Sequence, residues 1–527
     1  MRAAPLPTTL ARNGMVCAVD HLAAGAGVAM LRAGGSAADA AVAASAVLAV
    51  TTQHMCGLGG DLFALVHHRA GPPDALNASG RAGSGADADR LRAEGHREMP
   101  RIGDIRSVPV PGCVDGWLAL HERHGRLPLA DVLEPARAYA ADGFPASATL
   151  APSVQLVASL PEAADYTAGG PVSSGTVIRR PGVARTLAAI AAGGRAAFYE
   201  GEFGEGLLQL GAGEYTADDL ARSQADWVAP LVADAWGHRL WTVPPNSQGY
   251  LTLAGAAIAA GLDLPSDPDD PQWAHLTIEA ARQAGFDRPA VLHEHADGAA
   301  LLAIDRLSAR RAAIDPSRAA ALGDTYATGG TIYLCAVDGE RMGVSLIQSN
   351  ASGWGSLLVV PGVRIFLQNR GLGFSLEPGH PAEYGPGRRP PHTLAPALVT
   401  TGDDGLAMTI GTMGGDTQPQ ILLQLLARLL HAGESPADAV AAGRWALAGP
   451  EGARGFDTWA GGGRVRVAIE GNAPSSWDAG LTERGHDVAR TGMFDHGFGH
   501  AHVIVNRGDH LAGASDPRAR GGAATGY

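Results

Sequence analysis

The chain has 527 residues and a formal net charge of -13, and that acidity excludes a nucleic-acid surface or an anionic membrane as partner, leaving small molecules as the expected ligands. Hydrophobic residues at 46% and charged residues at 18% suffice for a large buried core, while the 72 glycines and 34 prolines follow no period and exclude a collagen-like chain. Cys17, Cys56, Cys113 and Cys335 are too widely spaced for a C-x-x-C zinc pair or a disulfide scaffold.

The first twenty residues carry one early Arg and no apolar core of a secretory leader, so a soluble, cytoplasmic protein is expected. Asp20 to Val50 predicts two helices. The first closes on Gly34-Gly35, and Ser36 with Asp39 three residues later gives a capping-box start to the second. That second helix, Ala37 to Val50, is short and interrupted by Asp39, which predicts a buried helix rather than a membrane span. "CGLGGDLFALVHH" predicts a glycine turn and an apolar strand; GLGGD lacks dinucleotide spacing and precedes a strand instead of opening a helix. "PDALNASGRAGSGA" (residues 73–86) steps into a Ser/Gly loop carrying a lone Arg81. Residues from about 90 to 325 have a mainly helical pattern. From Gly330 the pattern turns to strands, then to the helical run "QPQILLQLLARLLHAGESPADAVAAG", then to further strands. Strand follows strand without regular crossover helices, so the expected architecture is a layered α/β one, stacked sheets covered by helices, and not a doubly wound sheet.

No Walker A sequence occurs, and no G-x-S-x-G elbow falls in a strand context. His293, Glu294 and His295, and His496, His500 and His502, are metal-ligand residue types, but short His patterns are promiscuous and read as polar loop or strand histidines; no metal and no cofactor is expected. Thr331 is a different candidate. A threonine hydroxyl becomes a good nucleophile when a base takes its proton, and its own α-amine does so once the peptide bond before it is cut. Gly330 leaves that bond open to attack by the Thr331 hydroxyl. The chemistry then needs backbone N–H donors at one point, which Gly414-Gly415 offers between an apolar strand and a helix.

In order along the chain, "DHLAAGAGVAMLRAGGSAADAAVAA", "GLGGDLF", "GGTIYLCAVDGERMGVSLIQSNASGWGS", "GRRPPHTLAPALV", "GTMGGDTQPQ" and "GASDPRARGGAATGY" resemble the γ-glutamyltransferase family of N-terminal-nucleophile hydrolases. The resemblance implies a four-layer αββα sandwich and autocleavage between Gly330 and Thr331. The products would be a large subunit, residues 1–330, and a small one, residues 331–527, intertwined as one unit or as a dimer of such pairs. It implies Thr331 as nucleophile, Ser349 as the hydroxyl bonded to it, and Gly414 and Gly415 as the oxyanion hole. It places Arg81 on the substrate carboxylate, with His392 and Thr393 where the family has two serines. The departures concern substrate. The family's stretch that grips the substrate α-amine reads "LQNRGLGF" here, so its acid becomes Gly373 and its amide Arg370, a cation that repels an ammonium group. Ala351 replaces an expected Asn and Ile332 an expected Thr. The resemblance therefore implies an amide hydrolase for a small carboxylate-bearing substrate without an α-amine, similar to the oxamate-amidohydrolase branch. The alternatives are a true γ-glutamyltransferase acting on glutathione, and a family member that never matures.

Overall fold

The computed structural model describes residues 7–68, 70–322, 331–448 and 465–527, so Gly330, on the scissile side of the expected cleavage, lies outside the described residues. Two seven-stranded sheets stack face to face. One runs in the order Thr9–Ala11, Leu511–Ser515, Ala501–Asn506, Leu406–Thr412, Ala397–Thr400, His238–Thr242 and Leu231–Ala235. The other runs Ala523–Gly526, Met15–Ala18, Ile332–Val337, Gly343–Ser349, Asp61–His67, Asp74–Ala78 and Asp226–Val228. Within both sheets every pairing is antiparallel.

Strand alternation sorts the side chains into three cores. In Ile332–Val337, Tyr333, Cys335 and Val337 join the core between the sheets, whereas Ile332, Leu334 and Ala336 face the helices outside. The outer helices on that side include His21–Arg32 and Ala37–Thr51, the latter buried along all 15 residues. Its start is the expected capping box, Ser36 with Asp39. Helices Tyr250–Ala259, Pro271–Gly285 and Gln418–Leu426 cover the other sheet. The result is the four-layer αββα sandwich.

One expectation needs correction. The stretch expected to be mainly helical also carries the strands Asp226–Val228, Leu231–Ala235 and His238–Thr242. The last two are joined by Trp236 and Gly237, both at positive φ (47° and 76°), which is the two-residue turn geometry that suits twisted strands. Trp-Gly lacks the Asn-Gly or Asp-Gly signature of that turn, so the hairpin is silent in the sequence.

Candidate active site

Register builds the site. Ile332 pairs with Gln348, so Thr331 lies opposite Ser349, and Ser349 pairs with Asp61 on the next strand. By alternation these three residues share the face of Tyr333 and Ile347, toward the other sheet. Thr331 is 1% exposed, and Ser349 and Asp61 are fully buried. The facing strand makes room with Gly411, where a Cβ would stand 2.2 Å from the Tyr333 ring. Two hydroxyls and a carboxylate therefore line up across three strands between the sheets.

Hydrogen bonds fix the direction of one proton. Ser349 Oγ lies 3.1 Å from Thr331 Oγ1. The same oxygen accepts from Arg370 Nη2 at 3.0 Å and from the Ala351 N–H at 2.8 Å. Two accepted bonds use both lone pairs of a hydroxyl, so the Ser349 O–H is the donor toward Thr331 Oγ1. The Thr331 oxygen then accepts, and its own proton points away from Ser349.

Arg370 is 1% exposed and its Nη1 donates to Thr393 Oγ1 at 2.9 Å. Burial lowers its pKa to about 10, with Asp61 and Asp416 acting in the opposite sense, so it stays cationic at neutral pH. His392 places Nε2 3.1 Å from Asp61 Oδ2 and accepts the Leu394 N–H at Nδ1. It is therefore the neutral Nε2–H tautomer; burial first, and then the charge of Arg370, push its pKa down to about 3. Asp61 Oδ1 also accepts from the Gly80 and Gly112 N–H groups and from Gln368 Nε2.

Gly414 and Gly415 follow strand Leu406–Thr412 with φ of 139° and 56°, the second in the left-handed region that glycine tolerates. The Gly414 carbonyl accepts from Thr417, which in a trans peptide turns the Gly415 N–H the opposite way. Gln248 Nε2 bonds both the Thr393 and the Gly415 carbonyl, at 2.9 and 3.0 Å, and Arg288 holds Gln248 Oε1 while pairing with Asp416. One network thus runs from Thr331 through Ser349, Arg370 and Thr393 to Gly415.

Arg81 stands apart from that network. Its Nη2 is 2.6 Å from Asp226, and its Nη1 donates to Gln224 and the Ser223 carbonyl. Arg389 pairs with the same Asp226 at 2.9 Å. The guanidinium fork expected to hold substrate already holds a protein carboxylate. Thr393 and His392 bond Arg370 and Asp61 rather than serving Arg81. Of the histidine patterns, Glu294 accepts the Arg389 N–H, and His502 stacks on Tyr333 with ring centroids 6.2 Å apart. Sequence reasoning missed Asp61, Gln248 and Arg288. Only Asp61 had a local signal, as the residue closing GLGGD. A cleft of about 300 Å³ opens beside the site, lined by Arg97 and Arg101 and by Leu372, Gly373, Phe374 and Pro391, the last four being chain neighbours of Arg370 and His392.

Comparison with known proteins agrees with this architecture. Residues 23–526 match the Gamma-glutamyltranspeptidase family. The chain is 36% identical to the oxamate amidohydrolase proenzyme of Klebsiella pneumoniae over 99% of each chain. It is 35% identical to the glutathione hydrolase-like YwrD proenzyme of Bacillus subtilis, over 97% of this chain and 98% of that one. Among solved structures, cephalosporin acylase from Bacillus halodurans superposes with a TM-score of 0.89 at 32% identity, covering 100% of this chain and 99% of that one.

Proposed function

Because the chain belongs to the gamma-glutamyltranspeptidase family, and is thus an enzyme of the N-terminal-nucleophile class, we propose that it matures by cutting itself before Thr331 and then hydrolyses the amide of a short acyl group whose carboxylate lies next to the scissile carbonyl. Oxamate is the simplest such substrate. In maturation the Thr331 hydroxyl adds to the Gly330 carbonyl, the C–N bond breaks with its proton going to the new α-amine, and water cleaves the resulting ester. In turnover that amine takes the Thr331 proton, Oγ1 forms an ester with the acyl group, ammonia or an amine leaves, and water releases the acid. The Gly414-Gly415 backbone is the oxyanion donor in both steps.

The observation that carries the substrate assignment is the position of Arg370. Two hydrogen bonds in series, 3.1 and 3.0 Å, keep its Nη2 within about 6 Å of the nucleophile oxygen. An oxamyl carboxylate is one bond from the carbonyl under attack, so it falls between the two. The α-carboxylate of a γ-glutamyl group lies four carbon–carbon bonds from its carbonyl, about 5 Å away along an extended chain and roughly 3.5 Å farther than in oxamyl, and its ammonium would approach a buried cation. The name of the Klebsiella pneumoniae relative supports the same reading.

A γ-glutamyl substrate is the second reading, favoured by the two acids near Arg370, Asp61 and Asp416, and by the name of the Bacillus subtilis relative. Against it, Asp61 is held by two backbone N–H groups, Gln368 and His392, and Asp416 pairs with Arg288. The test is ammonia release from oxamate by purified wild type and Thr331→Ala, with a denaturing gel of both. Two bands and ammonia for wild type, one band and none for the variant, are expected. One intact wild-type band, or release of anilide from a γ-glutamyl anilide with oxamate inert, overturns the proposal.

A further inference from the structure

Far from Thr331 along the same sheet, three metal-ligand side chains converge at the opposite end of strands Asp61–His67 and Asp74–Ala78. His68 follows the first strand, Asp74 opens the second, and His124 ends helix Cys113–His124. Their donor atoms lie within 4.8 Å of one another. We propose that His68, Asp74 and His124 form a binding site for a divalent transition metal of the zinc type, with water completing the coordination.

Geometry carries the assignment. Asp74 Oδ2 is 3.0 Å from His124 Nε2 and 3.8 Å from His68 Nε2. Two ligands each about 2.1 Å from one zinc ion stand roughly 3.4 Å apart in a tetrahedron; both Asp74 distances lie within about 0.4 Å of that, and drawing the two histidines together would complete the site. The His124 side chain is only 4% exposed, yet among the described residues neither its Nε2 nor Asp74 Oδ2 has a hydrogen-bond partner, close as they are. Two buried polar atoms that meet each other at 3.0 Å and have no further hydrogen-bond partner among the described residues can be bridged by one cation. The surrounding contacts do what outer-shell contacts do in metal sites: Arg123 Nη2 holds the other carboxylate oxygen at 2.9 Å, and Trp227 packs edge-on against the His124 ring. His68 and Asp74 are about one-fifth exposed, which gives the ion an entry path and water its place.

The contrast is His275, Glu279 and His486, which also converge. There His275 bonds His486 and the Asp315 carbonyl, and Glu279 accepts from Arg282 and the Ala320 N–H. Those donors are already satisfied within the protein.

Metal-free full-length protein, stripped with chelator and exchanged into chelator-free buffer, is titrated with zinc chloride by calorimetry and with cobalt chloride by visible absorption. Wild type is expected to bind one more equivalent of zinc than His68→Ala, and to show a cobalt d–d band that His68→Ala lacks. A rise of Tm with zinc should follow by mass action in wild type and disappear in the variant. His68 lies at a partly exposed strand end, and circular dichroism verifies the variant's fold; Asp74→Asn, which keeps shape and removes charge, repeats the comparison. Equal zinc stoichiometry in wild type and both variants, or no saturable zinc binding, overturns the proposal.

Discussion

At Ser349 two accepted hydrogen bonds decide which way a third points. The Arg370 guanidinium and the Ala351 N–H occupy its lone pairs, so its proton is committed to Thr331. Ser349→Ala removes that donor without changing the sheet register. It should lower kcat/KM about 3- to 10-fold, the loss of one neutral hydrogen bond of roughly 0.5–1.5 kcal/mol, in steady-state assays on folded enzyme. A change below twofold would mean that Thr331 is oriented by something else. Thr331 was legible from the glycines before it and the strand after it, whereas Ser349 and Arg370 were legible only through the resemblance to a family whose motifs cover them. Gln248 and Arg288 were not, since Gln248 meets Thr393 and Gly415 across 145 and 167 residues. The direction of Arg370 was equally hidden. Arginine usually faces solvent, and only the fold shows this one buried against a nucleophile.

Among elements, what the sequence disclosed was what is written within one element. The Ser36–Asp39 capping box announces its helix, and the apolar alternation after GLGGD announces its strand. The Trp236-Gly237 hairpin stayed hidden because its turn uses neither Asn nor Asp. The terminal "GASDPRARGG" was legible as a motif but not as a structure. Arg518 bonds Glu470 and Asp516, and Arg444 bonds Asp516 at 2.5 Å and the Phe498 carbonyl at 2.6 Å, all buried. This network ties the strand ending at Ser515 to the segments at 444 and 470. Arg518→Ala leaves Glu470 buried with no ion-paired side chain among the described residues, Arg444 acting on it only at longer range, so it should destabilise the protein by about 3–5 kcal/mol, read as a lowered denaturation midpoint. A loss under 1 kcal/mol would show that water or a shifted side chain satisfies the acid.

For the whole molecule, both sheets draw strands from before and after Thr331, so a cut before Thr331 leaves two chains that share one fold. Its acid sensitivity is set by buried histidines. Burial pushes the pKa values of His54, His392 and His486 down to about 3 and that of His502 to about 4, from an ordinary 6.5. Between those limits the unfolded chain binds protons that the folded chain refuses, so stability is complete above pH 6.5 and falls as pH drops toward 3–4. Each histidine contributes about 1.4 kcal/mol per pH unit in that window. Tm measured from pH 7 to pH 4 should fall with increasing slope below pH 6. A flat profile would show that these rings gain partners on protonation.

The account rests on Arg370 as the reader of a carboxylate next to the scissile bond. The most direct measurement is the ratio of kcat/KM for oxamate to kcat/KM for a γ-glutamyl anilide, in wild type and in Arg370→Ala. The account predicts a ratio well above one in wild type and a fall of about tenfold or more in the variant, carried by the loss of oxamate turnover. A wild-type ratio below one, or a ratio that Arg370→Ala leaves unchanged, would contradict it.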